Sequence, residues 1–269
     1  MLREVTLGQY YPVDSVIHRL DPRVKLLGTV LFLISLFIVK SWIMYGVAAL
    51  ALAILIKISN VPFRFMTRGL KSIVILLLIS VSFNLFLTPG EVLVQFWILK
   101  ITHEGLHIAL MMGARLILLV LGSSLMTLTT TPNQLTDGLE KGLGVLKKVG
   151  VPVHEISMMM SIALRFIPIL IEETDKIMKA QQARGADFES GNLLQRAKAM
   201  VPILVPLFIS AFRRANDLAM AMEARCYHGG EGRTKMKPLR YAARDRIAYA
   251  LMLLYLGLSV VSRFVALPF

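Results

Sequence analysis

The sequence has too few charged residues to cover a water-soluble protein of its size. Only 17% of its 269 residues are charged, 56% are hydrophobic, and the mean hydropathy is +0.66, whereas soluble domains have about a quarter of their residues charged. A single cysteine, Cys226, excludes a scaffold stapled by disulfides within the chain. The motif G-x-x-x-x-G-K-[ST] is also absent, so the chain is not expected to bind nucleotide phosphates or hydrolyse ATP itself. An integral membrane protein remains.

Five apolar runs are long enough, or nearly so, to cross a bilayer. About 20 helical residues cover the roughly 30 Å of hydrocarbon. Helices are favoured because the runs do not alternate and because backbone groups find no water at that depth. The predicted spans are residues 24–40, 42–58, 70–87, 106–128 and 247–266. We therefore expect an all-α integral membrane protein with about five transmembrane helices.

The positive charge of the chain is unevenly distributed. The formal net charge is +13, but the basic residues flank apolar runs and do not form a separate polar module. This pattern indicates membrane orientation and not a nucleic-acid partner. Lys and Arg are abundant before the first span, between the second and third spans, and in residues 129–246, and they are scarce in the other loops. The amino terminus and residues 129–246 are therefore predicted to be cytoplasmic.

Residues 129–246 differ from the spans because charged turns alternate with apolar stretches of at most about fourteen residues, too short to cross a bilayer alone. Pro168, Pro202 and Pro206 lie inside continuing apolar patterns, so they are expected to kink helices and not to end them. The segment is predicted to be a cytoplasmic-side coupling module of long kinked helices at the membrane interface. The predicted regions are 1–128 (amino-terminal segment and spans 1–4), 129–246 (coupling module) and 247–269 (last span).

The module contains a near-repeat with an offset of 41 residues. Ile177, Ala180, Ala183 and Arg184 align with Leu218, Ala221, Ala224 and Arg225. Each copy ends in a tip with one arginine: the first tip is Ala183-Arg184-Gly185 and the second tip is Ala224-Arg225-Cys226. One copy alone is most simply a helix end, where Arg favours the negative dipole and Gly supplies a left-handed residue. Cys226 is not a usual cap residue, so the repeat favours two equivalent tips that dock into two grooves of a dimeric partner.

Six short motifs lie along the chain: His18–Arg23 with Lys25–Leu27, Leu128–Pro132, Ala163–Pro168, Ala180–Gly185, Ala224–Tyr227 and Arg233–Thr234. Together they resemble the transmembrane T component of energy-coupling factor transporters, which import vitamins and metal ions in prokaryotes. The resemblance runs nearly end to end. It implies a non-catalytic subunit in a prokaryotic cell membrane, without a cofactor of its own. The implied partners are two ATP-binding-cassette ATPase subunits and a small membrane subunit that binds the substrate.

The resemblance also implies roles for residues. Arg184 and Arg225, with their neighbours in the two tips, would dock into the two ATPases. The family often has Ala-Arg-Gly in both tips, so Cys226 departs from the pattern and leaves the shape of the second tip open. Asp21-Pro22-Arg23 with Lys25 matches a family motif; from the residues alone, Asp21 is expected to cap the first span and Pro22 to begin it.

Several methionines lie in the module, and we interpret Met158, Met159, Met160 and Met200, with Pro202 and Pro206, as an interface for the substrate-binding subunit. Unbranched, polarisable side chains adapt to interchangeable partners. The alternative is that they fill gaps between kinked helices, and both roles can hold together.

The stretch 103–107 (HEGLH) matches the zinc pattern H-E-x-x-H, with Glu104 as base and Asp137 as a conceivable third ligand. This makes an intramembrane metalloprotease the alternative function. Against it, Gly105 weakens the helix, and Asp137 lies beyond the opposite end of the span, roughly 30 Å away. A helix start capped by Thr102 explains the stretch without a metal.

Arg115 lies inside the fourth predicted span, where an unpaired charge facing lipid is unfavourable. A structural role inside the bundle, or an outward-reaching side chain, is expected for it. A channel or carrier that works alone fits poorly, because the spans contain few ionisable groups that would line a pathway.

Overall fold

The structure is a computed structural model that describes residues 9–39, 41–96, 99–188, 192–230, 236 and 238–264. The helices are α1 (Pro22–Ile38), α2 (Trp42–Ser59), α3 (Phe63–Leu87), α4 (His103–Thr129), α5 (Pro132–Gly142), α6 (Val153–Ala183), α7 (Leu193–Glu223) and α8 (Ala243–Phe264), with a 3₁₀ helix at Leu143–Val149. One antiparallel hairpin of β1 (Val92–Phe96) and β2 (Leu99–Thr102) precedes α4. The predicted all-α class is confirmed.

Among the described residues, five helices are long and apolar enough to cross a membrane, judged by length and composition: α2, α4, α6, α7 and α8, or six with α3, which bends between Lys71 and Ile73. The predicted spans 42–58, 106–128 and 247–266 correspond to α2, α4 and α8, and span 70–87 lies in α3. The predicted span 24–40 corresponds to α1, which has 17 residues. Lys40 and residues 265–266 lie outside the described residues.

The prediction that residues 129–246 contain only apolar stretches too short to cross a bilayer is wrong for α6 and α7. Each helix is 31 residues long and includes a stretch that is long and apolar enough to cross a membrane. Single polar or charged residues such as Arg165 interrupt the apolar runs without interrupting the helix, so the longest uninterrupted run underestimates the apolar length. Length and hydropathy alone do not distinguish these two helices from spans. Pro168, Pro202 and Pro206 lie inside them, and the helices continue past the prolines as predicted.

The described residues form two compact units: residues 9–138 with 239–264, which we call the bundle unit, and residues 139–238, which we call the hairpin unit. In the bundle unit α4 packs against α1, α2 and α3, and α1 packs against α8. Its core contains apolar side chains from α1, α2, α3 and α4, including Leu36, Tyr45, Leu52, Met66 and Leu125. In the hairpin unit α6 packs against α7.

Side-chain caps mark the starts of α1 and α4. Asp21 Oδ1 accepts a hydrogen bond from Arg23 N at 2.9 Å, and Pro22 is the first residue of α1, so the predicted cap and start are confirmed. Thr102 Oγ1 accepts from Gly105 N at 3.0 Å at the start of α4, as predicted. Both caps satisfy backbone donors that the first helical turn leaves without an intrahelical acceptor.

Candidate docking site

The first tip closes α6 with a left-handed residue. Arg184 N and Ala186 N both donate to Gln181 O at 3.0 Å, and Gly185 N donates to Gln182 O at 2.9 Å. Gly185 has φ +88°, a conformation that glycine adopts without steric penalty. These bonds form a Schellman motif, which turns the chain away sharply after Arg184.

The second tip closes α7 in the same way. Arg225 N and Tyr227 N both donate to Met222 O at 3.1 Å, and Cys226 N donates to Glu223 O at 2.9 Å. Each bond is the corresponding bond of the first tip displaced by 41 residues. Cys226 has φ 55°, so it occupies the left-handed position that Gly185 occupies in the first tip. The expectation that Cys226 is not a cap residue was therefore wrong. The second tip, whose shape the sequence left open, has the same backbone shape as the first tip.

All six residues of the two tips are exposed. In the described part of the chain neither Arg184 nor Arg225 has a carboxylate within ion-pair distance. A short alanine beside each arginine leaves its guanidinium on a narrow helix end. The guanidinium is planar, permanently charged and matched to carboxylates, so each tip suits an acidic groove.

The two tips lie at opposite ends of an antiparallel helix pair. Arg214 Nη2 in α7 lies 3.1 Å from Glu173 Oε2 in α6, and towards the first tip Gln181 Nε2 lies 3.5 Å from Pro202 O. Towards the second tip, α6 residues 158–166 line one cavity together with α7 and the second tip. Higher numbers in α6 thus meet lower numbers in α7, as antiparallel packing requires.

The Glu173–Arg214 ion pair marks the centre of this arrangement. The two residues are 41 positions apart, so they are equivalent in the two copies of the repeat. Two equivalent positions meet only where an approximate twofold axis crosses the pair. Each lies eleven residues before the arginine of its tip, about 16 Å along a helix, so the tips are up to about 33 Å apart.

The predicted substrate-subunit residues lie in the hairpin unit. Met159, Met160, Met200 and Pro202 are exposed, and Met158 and Pro206 are half-buried. The sequence interpretation missed a longer apolar stripe on α7 with helical spacing and 50–66% exposure. It consists of Val201, Leu204, Val205, Phe208 and Phe212. The period of three and four residues was its signal in the sequence.

The Asp21 motif lies in a buried polar cluster of the bundle unit. Arg23 donates to both carboxylate oxygens of Asp21, at 3.1 and 3.0 Å, and these bonds raise the pKa of Arg23. Its guanidinium also lies 4.1 Å from the centre of the Tyr241 ring. Asp245 Oδ1 accepts from Asp21 N at 2.9 Å, which joins α8 to the start of α1. Asp245 was not predicted from the sequence. The pattern that indicates its capping position is an acidic residue in the first turn of the last helix.

Lys25 holds the same cluster to the end of α4. Its buried Nζ donates to His18 O at 3.1 Å and to Thr129 O at 2.8 Å. His18 Nε2 donates to Tyr11 O at 3.1 Å, its Nδ1 lies 2.7 Å from Ser15 Oγ, and burial lowers the pKa of its imidazole. The contacts give Asp21, Pro22, Arg23 and Lys25 a structural function in joining three segments of the bundle unit.

The HEGLH stretch does not assemble a zinc site. Trp42 Nε1 donates to His107 Nε2 at 2.7 Å, so the lone pair that a metal would need is already used. Glu104 Oε2 accepts from Glu91 N at 2.9 Å. Over the residues described, no group of three His, Cys, Asp or Glu side chains is arranged to hold a metal ion. The metalloprotease alternative has no support.

Arg115 has neutral partners. Its Nε donates to Tyr45 Oη at 2.8 Å, Tyr45 Oη donates to Leu36 O at 3.1 Å, and its guanidinium lies 5.4 Å from the Phe37 ring centre. The side chain therefore connects α4 with α1 and α2. The motif Arg233–Thr234 lies outside the described residues.

Comparison with known proteins gives matches over nearly the whole chain. A family model described as "Cobalt transport protein" (CbiQ) matches residues 14–236. The chain is 54% identical to the energy-coupling factor transporter transmembrane protein EcfT of Thermosediminibacter oceani over 265 residues, 98% of this chain and 100% of that protein. It is 54% identical over 265 residues to the protein of the same name from Clostridium kluyveri, covering 98% of each chain. The protein of that name from Acidaminococcus fermentans is 49% identical over 269 residues, 100% of this chain and 97% of that protein.

Proposed function

The chain belongs to the family of transmembrane components of energy-coupling factor transporters, and on this premise we propose that it couples two ATPase subunits to a small membrane subunit that binds the substrate. In this proposal the chain is not an enzyme. The transporter imports a vitamin or another micronutrient, and the residues that touch the cargo belong to the substrate-binding subunit. The observation that carries the proposal is the pair of matching arginine tips at opposite ends of the α6–α7 hairpin.

The symmetry of the hairpin supports a dimeric ATPase partner. An approximate twofold axis through Glu173 and Arg214 relates two tips of the same backbone shape. A homodimer, or a dimer of two similar subunits, presents two equivalent grooves related by a twofold axis. One hairpin can therefore engage both ATPases at once, and a change in the distance between the grooves would act on both ends of the hairpin.

The charge distribution along the hairpin supports a position outside the hydrocarbon. Glu172 and Arg213 are exposed beside the central ion pair. If the hairpin crossed the bilayer, its centre would lie at mid-depth, where each such charge costs about 2.5–3.5 kcal/mol. The hairpin is therefore better placed along the cytoplasmic interface. This placement agrees with the excess of Lys and Arg in residues 129–246 and with a cytoplasmic amino terminus.

The exposed apolar stripe of α7 supports a second partner. Phe208 and Phe212 are 66% and 60% exposed, and their ring centres are 4.9 Å apart. Adjacent aromatic residues on an exposed helical face are typical of interfaces with other proteins or with membrane. We assign the stripe, with Met159, Met160, Met200 and the neighbouring Met158, Pro202 and Pro206, to the substrate-binding subunit.

Charge reversal at both tips tests the proposal. The double variant Arg184→Glu with Arg225→Glu is expected to insert into the membrane normally, because both residues are exposed. The amount of ATPase that copurifies with it in mild detergent should fall at least about tenfold, because each acidic groove would then face an acid. The amount of copurified ATPase is normalised to the amount of chain inserted into the membrane.

The matched control reverses two exposed basic residues elsewhere on the same hairpin, Lys176→Glu with Arg213→Glu. It changes the net charge equally and should retain the ATPases. Normal copurification of ATPase with the double tip variant would contradict the proposal, and equal loss in both variants would attribute the effect to net charge and not to the tips.

A further inference from the structure

A cavity of about 760 Å³ lies between α6 and the second tip in the hairpin unit. Ile162, Phe166, Leu218 and Met222 supply apolar lining, and Arg165 and Arg225 supply charge. Arg225 belongs to the second tip, whereas Arg165 lies on the other helix of the hairpin and is not part of either tip. The cavity therefore combines an apolar surface with two guanidinium groups from different helices.

Among the described residues, the two arginines have no counter-ion. His228 is the other titratable lining residue of basic type, none of the described lining residues is acidic, and no described carboxylate lies within ion-pair distance of Arg165. Two cations that face one concave space repel each other, and the field between them favours an anion. The described residues of the chain supply two cations to this site, and an acidic partner would complement them.

The segment that follows the second tip, residues 227–230, forms one wall of the cavity and packs against His154. Glu140 Oε1 lies 3.0 Å from His154 Nδ1, and Ser157 Oγ donates to Glu140 Oε2 at 3.1 Å, which fixes the imidazole. Gly230 lies so close to this ring that a Cβ at residue 230 would clash with it. The adjacent Gly229, a lining residue, has φ +96°. These contacts pack the segment that follows the second tip against the start of α6.

The first tip has no counterpart of Arg165. The repeat offset of 41 residues places Pro206 at the position equivalent to Arg165. The two tips thus share their backbone shape and their arginine, but only the second has another cation on the neighbouring helix at this repeat position. At this repeat position, the second tip has an arginine on the neighbouring helix where the first tip has a proline.

We infer that Arg165 and Arg225 together bind a carboxylate side chain of the ATPase subunit that docks at the second tip, with an apolar neighbour of that carboxylate entering the cavity. The inference rests on the proposed docking function and adds a second cation to one of its two sites. Two guanidinium groups around one carboxylate give charge-assisted hydrogen bonds from two directions.

The single cysteine of the chain provides a reporter at this site. Cys226 is exposed in the free chain and lines the cavity, so docking should slow its alkylation by N-ethylmaleimide. The rate is measured by mass spectrometry of the peptide that contains residue 226, in the complete transporter and in the chain without ATPases. The ratio of the two rates is the protection factor of the second tip. The variant Cys226→Gly with Gly185→Cys moves the thiol to the first tip, since Cys226 shows that cysteine adopts this conformation.

With Arg165→Glu, the protection factor at residue 226 is expected to fall roughly tenfold, whereas the factor at residue 185 should stay within about twofold of its original value. Arg165→Lys keeps the charge and should retain most of the protection. Arg213→Glu, the same charge change on the outer face of the hairpin, should alter neither tip.

Unchanged protection at residue 226 with Arg165→Glu would overturn the inference, as would an equal fall at both tips. Failure of Arg165→Lys to restore protection would also overturn it, because charge would then not be the cause. If the ATPases protect neither Cys226 in the original chain nor the thiol at residue 185 in the exchanged variant, the proposed docking function itself fails, and that result is distinct from the others.

Discussion

At the scale of single residues, the two tips show how different side chains produce one backbone shape. Gly185 has no Cβ and enters the left-handed region freely, whereas Cys226 does so at φ 55° against a steric penalty of about 1–2 kcal/mol. The equivalent hydrogen bonds of the second tip hold Cys226 there. The shape of the tip therefore depends on the closing hydrogen bonds as much as on glycine.

Substitutions at Cys226 test this explanation. Cys226→Gly should change the free energy of unfolding by no more than about 0.5 kcal/mol, because relief of strain offsets the entropy that glycine loses on folding. Cys226→Val should lower it by about 1–2 kcal/mol, since a β-branched side chain tolerates the left-handed region poorly. Thermal unfolding in detergent measures both variants.

ATPase copurification separates shape from thiol chemistry in the same variants. Cys226→Gly should bind ATPase as the original chain does, and Cys226→Val should bind less. Equal binding by Gly and Val variants would show that the left-handed turn at residue 226 is not needed for docking.

At the scale of elements, the buried polar cluster joins the first and last helices of the bundle unit. Asp245 is only 2% exposed and accepts hydrogen bonds from Asp21 N at 2.9 Å and from Ala242 N at 2.7 Å. One carboxylate thus caps α8 and supports the residue that caps α1. Loss of this carboxylate leaves both backbone donors without their acceptor.

Asp245→Ala is therefore expected to reduce the free energy of unfolding by about 2–4 kcal/mol, because each unsatisfied buried donor costs about 1–3 kcal/mol. Asp245→Asn keeps one acceptor oxygen and should have an intermediate effect. Asp14→Ala removes an exposed carboxylate 3.6 Å from Arg19 and should change stability by less than about 1 kcal/mol. Equal unfolding temperatures for Asp245→Ala and Asp14→Ala would refute the connecting function of Asp245.

The helices could largely be predicted from the sequence, because their signals are local. Asp21 with Pro22, Thr102, and the apolar runs of α2, α4 and α8 each act within one element. The contact between Asp245 and Asp21 joins residues 224 positions apart, and no local pattern indicates such a contact. The full length of α6 and α7 was also missed, because interruptions by single charged residues do not break a helix.

The candidate site was predictable in part. The repeat identified Arg184 and Arg225 from sequence alone, since its offset is visible in the residues. Their position at opposite ends of a hairpin required the Glu173–Arg214 contact, and the association of Arg165 with the second tip required the cavity. Pairing between helices depends on side-chain packing across the interface, which periodicity within one helix does not determine.

At the scale of the whole molecule, the chain is a multi-pass membrane protein of a transporter family and combines a membrane bundle with a hairpin of two long helices. In the proposed function the energy comes from the ATPases and the cargo site from the substrate-binding subunit. In the same proposal the chain contributes rigid helices whose ends the ATPases hold. A subunit of this kind is expected to have no transport activity by itself and to lose its contribution when its tips no longer dock.

ATP-dependent uptake into liposomes tests this central claim most directly, with the chain reconstituted alone, with its ATPases and substrate-binding subunit, and as the Arg184→Glu, Arg225→Glu variant with the same partners. We expect uptake of labelled cargo only by the complete transporter with both arginine tips intact. Uptake by the chain alone, or undiminished uptake by the complex with both tips reversed, would contradict the account.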